Sequence, residues 1–192
     1  MERAIPPRFL KVLVFLLIQF TFTAHAQNRQ QYTGSNIIKI GFETPDGIIE
    51  FTSDHLQILY NEATRKLECR LSVNTLYTLN DTIPSDLAYE VLFGSKYPDF
   101  ILIIDAPAEI LNTSRINSEP QPRSTTIELQ GTRNESRFPV AFASDNGVIN
   151  LSTTFDIRMG HFRATIPAVY KPMLTGRLLI TIRNARWLNN GE

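Results

Sequence analysis

Chemistry in a protein chain needs side chains that can hold a metal, move a proton or attack a carbon. This chain of 192 residues offers few of them. It has three histidines (His25, His55 and His161) and a single cysteine, Cys69. A zinc site needs three or four N, S or O ligands at workable spacing. Neither Asp54-His55 nor the solitary His161 supplies that pattern, and both are expected at the surface or at a strand end. There is no Gly-x-Ser-x-Gly elbow, no glycine-rich phosphate loop after a strand and no Cys–His pairing of defensible spacing. Asp and Glu are scattered, and no pair stands out for acid–base work. Cys69 alternates with Leu67, Leu71 and Val73, so it reads as a small inward apolar side chain. A lone cysteine forms no intrachain disulfide. The inventory points to no catalytic residue, no metal and no cofactor, and to a protein that acts through shape.

The elements that must provide that shape are strands. Ile149, Leu151, Thr153, Phe155 and Ile157 alternate with Asn150, Ser152, Thr154, Asp156 and Arg158. A period of two over this length means a strand with one apolar face and one wet face. Ile127 with Leu129, Val140 with Phe142, and Leu178 with Ile180 and Ile182 repeat the pattern. Strands are also expected over 37–42, 47–52, 66–75 and 100–105. Asp145-Asn146-Gly147 and Thr44-Pro45-Asp46-Gly47 are hairpin and turn signals. Residues 54–60 are ambiguous, while 61–64, 113–124 and 167–176 read as loops. One helix is expected over 84–94: Pro84 suits the first turn, Gly94 the position past the end, and Leu87, Val91 and Leu92 share a face. About eight strands and one short helix make a mainly β fold, an antiparallel eight-stranded barrel.

Particular residues in these strands resemble the YceI-like, polyisoprenoid-binding family. The matching positions are Leu129, Gly131, Phe138-Pro139-Val140, Phe142, Phe155, Ile157, Phe162 and Ile166-Pro167. Gly94-Ser95-Lys96-Tyr97-Pro98 is similar to a further motif of that family, Ser-x-Lys-Tyr-Pro before a strand. The likeness spans most of 37–183. Departures are Gln130, where the family often has His, Thr132-Arg133-Asn134 in place of Val-Thr-Lys, and Arg163, where Gly is usual. They bear on the ligand more than on the fold. The resemblance implies a bacterial periplasmic protein with a lipocalin-like barrel and an apolar interior, able in some members to bind long isoprenoid lipids. Four Asn-x-Ser/Thr triplets, at Asn80, Asn112, Asn134 and Asn150, are then incidental rather than glycan sites.

The N-terminus fits an exported protein. Arg3, Arg8 and Lys11 precede an apolar run, Val12 to Phe22, and Ala24-His25-Ala26 is a small-x-small cleavage signal before Gln27. The run is short for a span, which takes about 20 apolar residues, so no stable membrane span is expected after cleavage. The domain reading is a signal peptide over 1–26, a flexible lead-in over 27–36, the barrel over 37–183 and a tail over 184–192. The mature chain would carry 16 basic and 18 acidic residues, without the basic stripe that nucleic acid requires.

What remains is apolar bulk. Leu71, Val73, Phe93, Phe100, Phe142, Phe155 and Phe162 are the candidates for an inward-facing wall. Such a wall binds by buried area, about 25 cal/mol per Å². The expected partner is an apolar lipid, an isoprenoid or acyl chain, held in a secreted or periplasmic barrel. Two alternatives stay open: a filled barrel serving as an envelope interaction or structural module, and a hydrolase with polar groups converging inside.

Overall fold

The computed structural model describes residues 33–106, 116, 118–145 and 148–187. The expected signal peptide and most of the expected lead-in lie outside them. Eight strands run in chain order: β1 (Thr33–Thr44), β2 (Gly47–Asn61), β3 (Lys66–Ser72), β4 (Asp99–Asp105), β5 (Gln121–Leu129), β6 (Thr132–Asp145), β7 (Val148–Arg158) and β8 (Arg177–Trp187). Each pairs antiparallel with its sequence neighbour. β1 closes on β8 from Ile38↔Ile182 to Phe42↔Leu178, giving a closed up-and-down barrel. The alternation predicted for β7 holds: Ile149, Leu151, Thr153, Phe155 and Ile157 are buried and Thr154, Asp156 and Arg158 are exposed. Cys69 is buried among Leu67, Leu71 and Val73, and desolvation pushes its thiol up to about 12.

Several boundaries differ from the sequence reading. The ambiguous stretch 54–60 continues β2, paired through Tyr60↔Leu67. β3 ends at Ser72, and Val73–Thr75 forms a 3-10 turn instead of strand. The expected loop over 113–124 gives way to strand from Gln121, where Arg123 pairs with Phe138. At the C-terminal side β8 runs past Arg183 to Trp187, whose buried indole meets Tyr60 at 5.0 Å between ring centroids. The β6–β7 hairpin is framed by Asp145↔Val148, with its two central residues outside the described set.

One end of the barrel is capped. Here lie the turns at Pro45-Asp46 and Gln130-Gly131, the insert between β3 and β4, and the segment between β7 and β8. The insert carries the helix, α1 (Leu87–Val91), which is shorter than the expected 84–94. Leu87, Ala88, Val91 and Leu92 are buried in the core, joined by Met159, Phe162, Tyr170 and Leu174 from the later segment. Gln130 (φ 47) and Gly131 (φ 74) both take left-handed backbone, the geometry of a tight two-residue hairpin. At Gly131 a Cβ would stand 2.5 Å from the Tyr97 ring, so only glycine fits.

Candidate functional site

The inner wall is made by alternate residues of every strand. Of the expected wall residues, Leu71, Val73, Phe100, Phe142, Phe155 and Phe162 are buried and belong to one continuous core. Leu71 and Phe100 are register partners on β3 and β4. Phe155 and Phe162 lie instead on the β7 side.

Phe93 is a correction. It is half-buried and does not join the core. Its backbone is left-handed (φ 55) because it terminates α1. The Phe93 N–H donates to the Glu90 carbonyl at 3.1 Å and the Gly94 N–H to the Tyr89 carbonyl at 2.8 Å. That is a Schellman ending with Phe93 where glycine is usual. Gly94 serves a different need, since a Cβ there would meet the Tyr89 ring at 2.4 Å.

The barrel wall is not continuous along its whole height. β6 and β7 pair only between Val140↔Thr153 and Asp145↔Val148. Nearer the capped end, residues 132–139 of β6 pair with β5, and residues 154–158 of β7 pair with β8. The two strands separate at Pro139, which has no N–H to extend a ladder. The Thr153 hydroxyl donates to the Pro139 carbonyl at 2.7 Å and closes the last rung.

The separation leaves a lateral cleft of ≈ 560 Å³. Ligand pockets usually span about 300–1,000 Å³. Its floor is the inner face: Ile127, Phe138, Ile157 and Phe162. Phe138 stacks on Phe155, with 4.1 Å between centroids and planes 22° apart. Its rim is polar, with Asn134, Glu135, Ser136, Asp156, Arg158 and His161. Phe155 and Ile157 are 6% exposed, against 0% for Leu71 and for Ile38 and Ile40, so solvent comes nearest to the inner wall here. A second cleft of ≈ 690 Å³ shares Arg158 and His161 and extends over Lys171 and Arg177.

The rim's electrostatics are settled by pairs. Arg177 donates to Asp156 at 2.8 Å and to Glu43 at 2.9 Å. The Arg177 bond holds Asp156 below the usual carboxylate range, and Thr175 and then Arg177 do the same for Glu43. Both carboxylates are ionised near neutrality and unsuited to donating a proton.

Departures from the family pattern have visible jobs. The Gln130 amide donates to the Val91 carbonyl at 2.9 Å and to the Thr165 carbonyl at 3.0 Å, and its oxygen accepts from the Thr165 N–H at 3.0 Å. One side chain thus ties α1, the β5–β6 turn and the later capping segment together. Arg133 pairs with Glu128 across the hairpin at 2.7 Å, and Asn134 donates to the His161 carbonyl. Thr132 faces Leu129 and starts β6. Arg163 is exposed with φ 52, at the end of the 3-10 turn Met159–Phe162. A left-handed backbone explains why glycine suits this position.

Sequence reasoning missed Phe138 and Arg123 as inner-face residues. Phe138 shares its parity with Val140 and Phe142, and Arg123 shares its own with Thr125, Ile127 and Leu129. Both signals were present in the alternation. His55 and His161 are exposed. Among the described residues no group of three or more His, Cys, Asp or Glu is placed to hold a metal ion, and no helix is long and apolar enough to cross a membrane.

Comparison with solved structures places this architecture. A polyisoprenoid binding domain from Saccharophagus degradans, implicated in plant cell wall breakdown, superposes with a TM-score of 0.69. The match covers 82% of this chain and 97% of that domain at 8% identity. The fold is that of the YceI-like, polyisoprenoid-binding barrels. BcnA of Burkholderia cenocepacia follows at TM-score 0.58 and 11% identity, over 77% of this chain and 93% of its own. The YceI protein of Campylobacter jejuni reaches TM-score 0.48 at 12% identity, covering 98% of this chain and 100% of its own. No protein-family model matches the sequence, and no curated protein matches it. At these identities the YceI-like likeness is one of fold.

Proposed function

We propose that this chain is an exported, non-catalytic binding protein whose YceI-like barrel holds an apolar lipid, an isoprenoid or acyl chain. The observation that carries the reading is the cleft between β6 and β7. It opens the inner wall at the point where aromatic and branched side chains line it. An apolar chain laid on Phe138, Ile157 and Phe162 gains about 0.8 kcal/mol for each methylene removed from water. Ser136, Glu135 and Arg158 keep the rim wetted. The export signal read over 1–26 supports a periplasmic or secreted location, and the naming of the S. degradans domain as polyisoprenoid binding supports the ligand class.

The test is uptake of a fluorescent apolar probe, such as N-phenyl-1-naphthylamine, by the wild type and by Ser136→Trp. Ser136 lines the cleft and is exposed, so the indole fills the cleft without disturbing the core. Saturable uptake by the wild type that Ser136→Trp weakens at least tenfold supports the reading. Equal uptake by both proteins removes the cleft from it.

One observation favours a second reading. Phe42, Phe51, Phe100 and Phe142 are fully buried, with Phe42 and Phe51 edge-to-face at 5.6 Å, so side chains fill much of the interior. A filled barrel would act as an envelope interaction module. Absence of any saturable uptake would favour it.

A further inference from the structure

Arg123 lies on the inner face of β5, with Thr125, Ile127 and Leu129 buried after it on the same face. Its register partner on β6 is Phe138, at the edge of the cleft. The guanidinium stands over the Phe142 ring, 5.0 Å from its centroid. Its Nε is out of contact with water and has no hydrogen-bond partner. Among the described residues no carboxylate pairs with it. Three other strand arginines are ion-paired: Arg70 with Glu68 and Asp99, Arg133 with Glu128, Arg177 with Glu43 and Asp156.

A partly buried guanidinium cannot escape its cost by losing its proton, because its pKa stays above about 12 in proteins. Desolvation lowers the Arg123 value without supplying an anion. A buried donor left unmet is costly, and a charge more so. The planar fork matches a carboxylate or phosphate with two parallel bonds. The Phe142 ring beside it holds the cation by its face.

We propose that Arg123 is the head-group site of the barrel, binding the carboxylate or phosphate of an amphipathic lipid whose chain lies along the inner wall. The proposal rests on the lipid reading above and names the ligand as anionic rather than neutral. Carboxylate and phosphate share the chemistry of paired, coplanar oxygen acceptors.

The experiment uses matched pairs on the exported protein: oleate against oleyl alcohol, and farnesyl phosphate against farnesol. Binding is read by titration calorimetry and by the fluorescence of the single tryptophan, Trp187. The wild type is expected to bind at least one anionic member about 10- to 100-fold more tightly than its neutral twin, the range for a charge-assisted pair. Which pair shows the preference distinguishes a carboxylate from a phosphate. Arg123→Met keeps apolar length and should erase the preference while leaving neutral binding in place. Arg123→Lys keeps the charge without the fork, guards against a folding defect in the Met variant, and should retain only part of the preference. Equal binding of anionic and neutral twins by the wild type overturns the proposal, and so does a preference that survives in Arg123→Met. Failure of all four ligands to bind is a different outcome, because it sinks the lipid reading itself.

Discussion

Replacing Gln130 by alanine tests how the capped end is held. The substitution removes three hydrogen bonds, to the Val91 carbonyl, the Thr165 carbonyl and the Thr165 N–H. Alanine keeps a Cβ, so the left-handed backbone at this turn is no more or less strained than before. A net hydrogen bond is worth about 0.5–1.5 kcal/mol, and water reaches a half-buried residue and replaces part of that. The expected loss is about 2 kcal/mol, which lowers Tm by about 4–8 °C for a domain of this size. Thermal denaturation by circular dichroism gives the global number. Amide hydrogen exchange gives the local one: the Thr165 N–H, which loses its acceptor, should exchange faster than in the wild type. Gln130→His, with one ring donor and one ring acceptor, should recover part of the loss. A Tm within about 1 °C of wild type, with Thr165 protection unchanged, would refute the idea that this side chain ties the cap together.

Three further outcomes follow from single observations. Phe93→Gly should change stability by no more than about 1 kcal/mol, since relief of the left-handed backbone offsets the lost ring contacts, whereas Phe100→Ala should cost about 3–5 kcal/mol; urea denaturation compares the two. Because Glu43 and Asp156 are held below their usual range by hydrogen bonds and Arg177, their stabilisation is fully present above about pH 5 and is lost as pH falls through the lowered values. Arg177→Met should flatten that acid limb in a pH series of melts. Cys69, buried with its thiol pushed up to about 12, should resist alkylation at pH 8 in the native protein and react fully in denaturant, as read by mass spectrometry.

The strands were legible wherever one face is buried and the other wet. β7 could be traced residue by residue because it alternates without interruption; β8 could be traced only to Ile182, because the alternation slips at Arg183 and Asn184 before Ala185 and Trp187 turn inward. The family motifs were legible as two separated pieces, Gly94 to Pro98 and Leu129 to Gly131. The structure gives their connection, since the Tyr97 ring occupies the space a Cβ on Gly131 would need. The start of β5 was hidden by Pro122, which reads as loop. It lies beyond the β4–β5 ladder, which ends at Ile104↔Thr125, so it removes no bond from that ladder. Phe93 was misplaced because helical spacing does not reveal which residue will take the left-handed ending. The cleft depends on where two ladders stop, a property of four strands together, although Pro139 marked the spot. Arg123 was passed over because a charged residue in an apparent loop is ordinarily solvated, although its parity with Thr125, Ile127 and Leu129 places it on the inner face.

The most direct measurement of the central claim is native mass spectrometry of the exported protein, purified without detergent, with solvent extraction of anything released. The account predicts a discrete added mass that extracts as an isoprenoid or acyl lipid, and its reduction in Ser136→Trp. A clean protein mass that takes up no isoprenoid or fatty acid when these are added back would contradict it and leave the barrel as a filled interaction module.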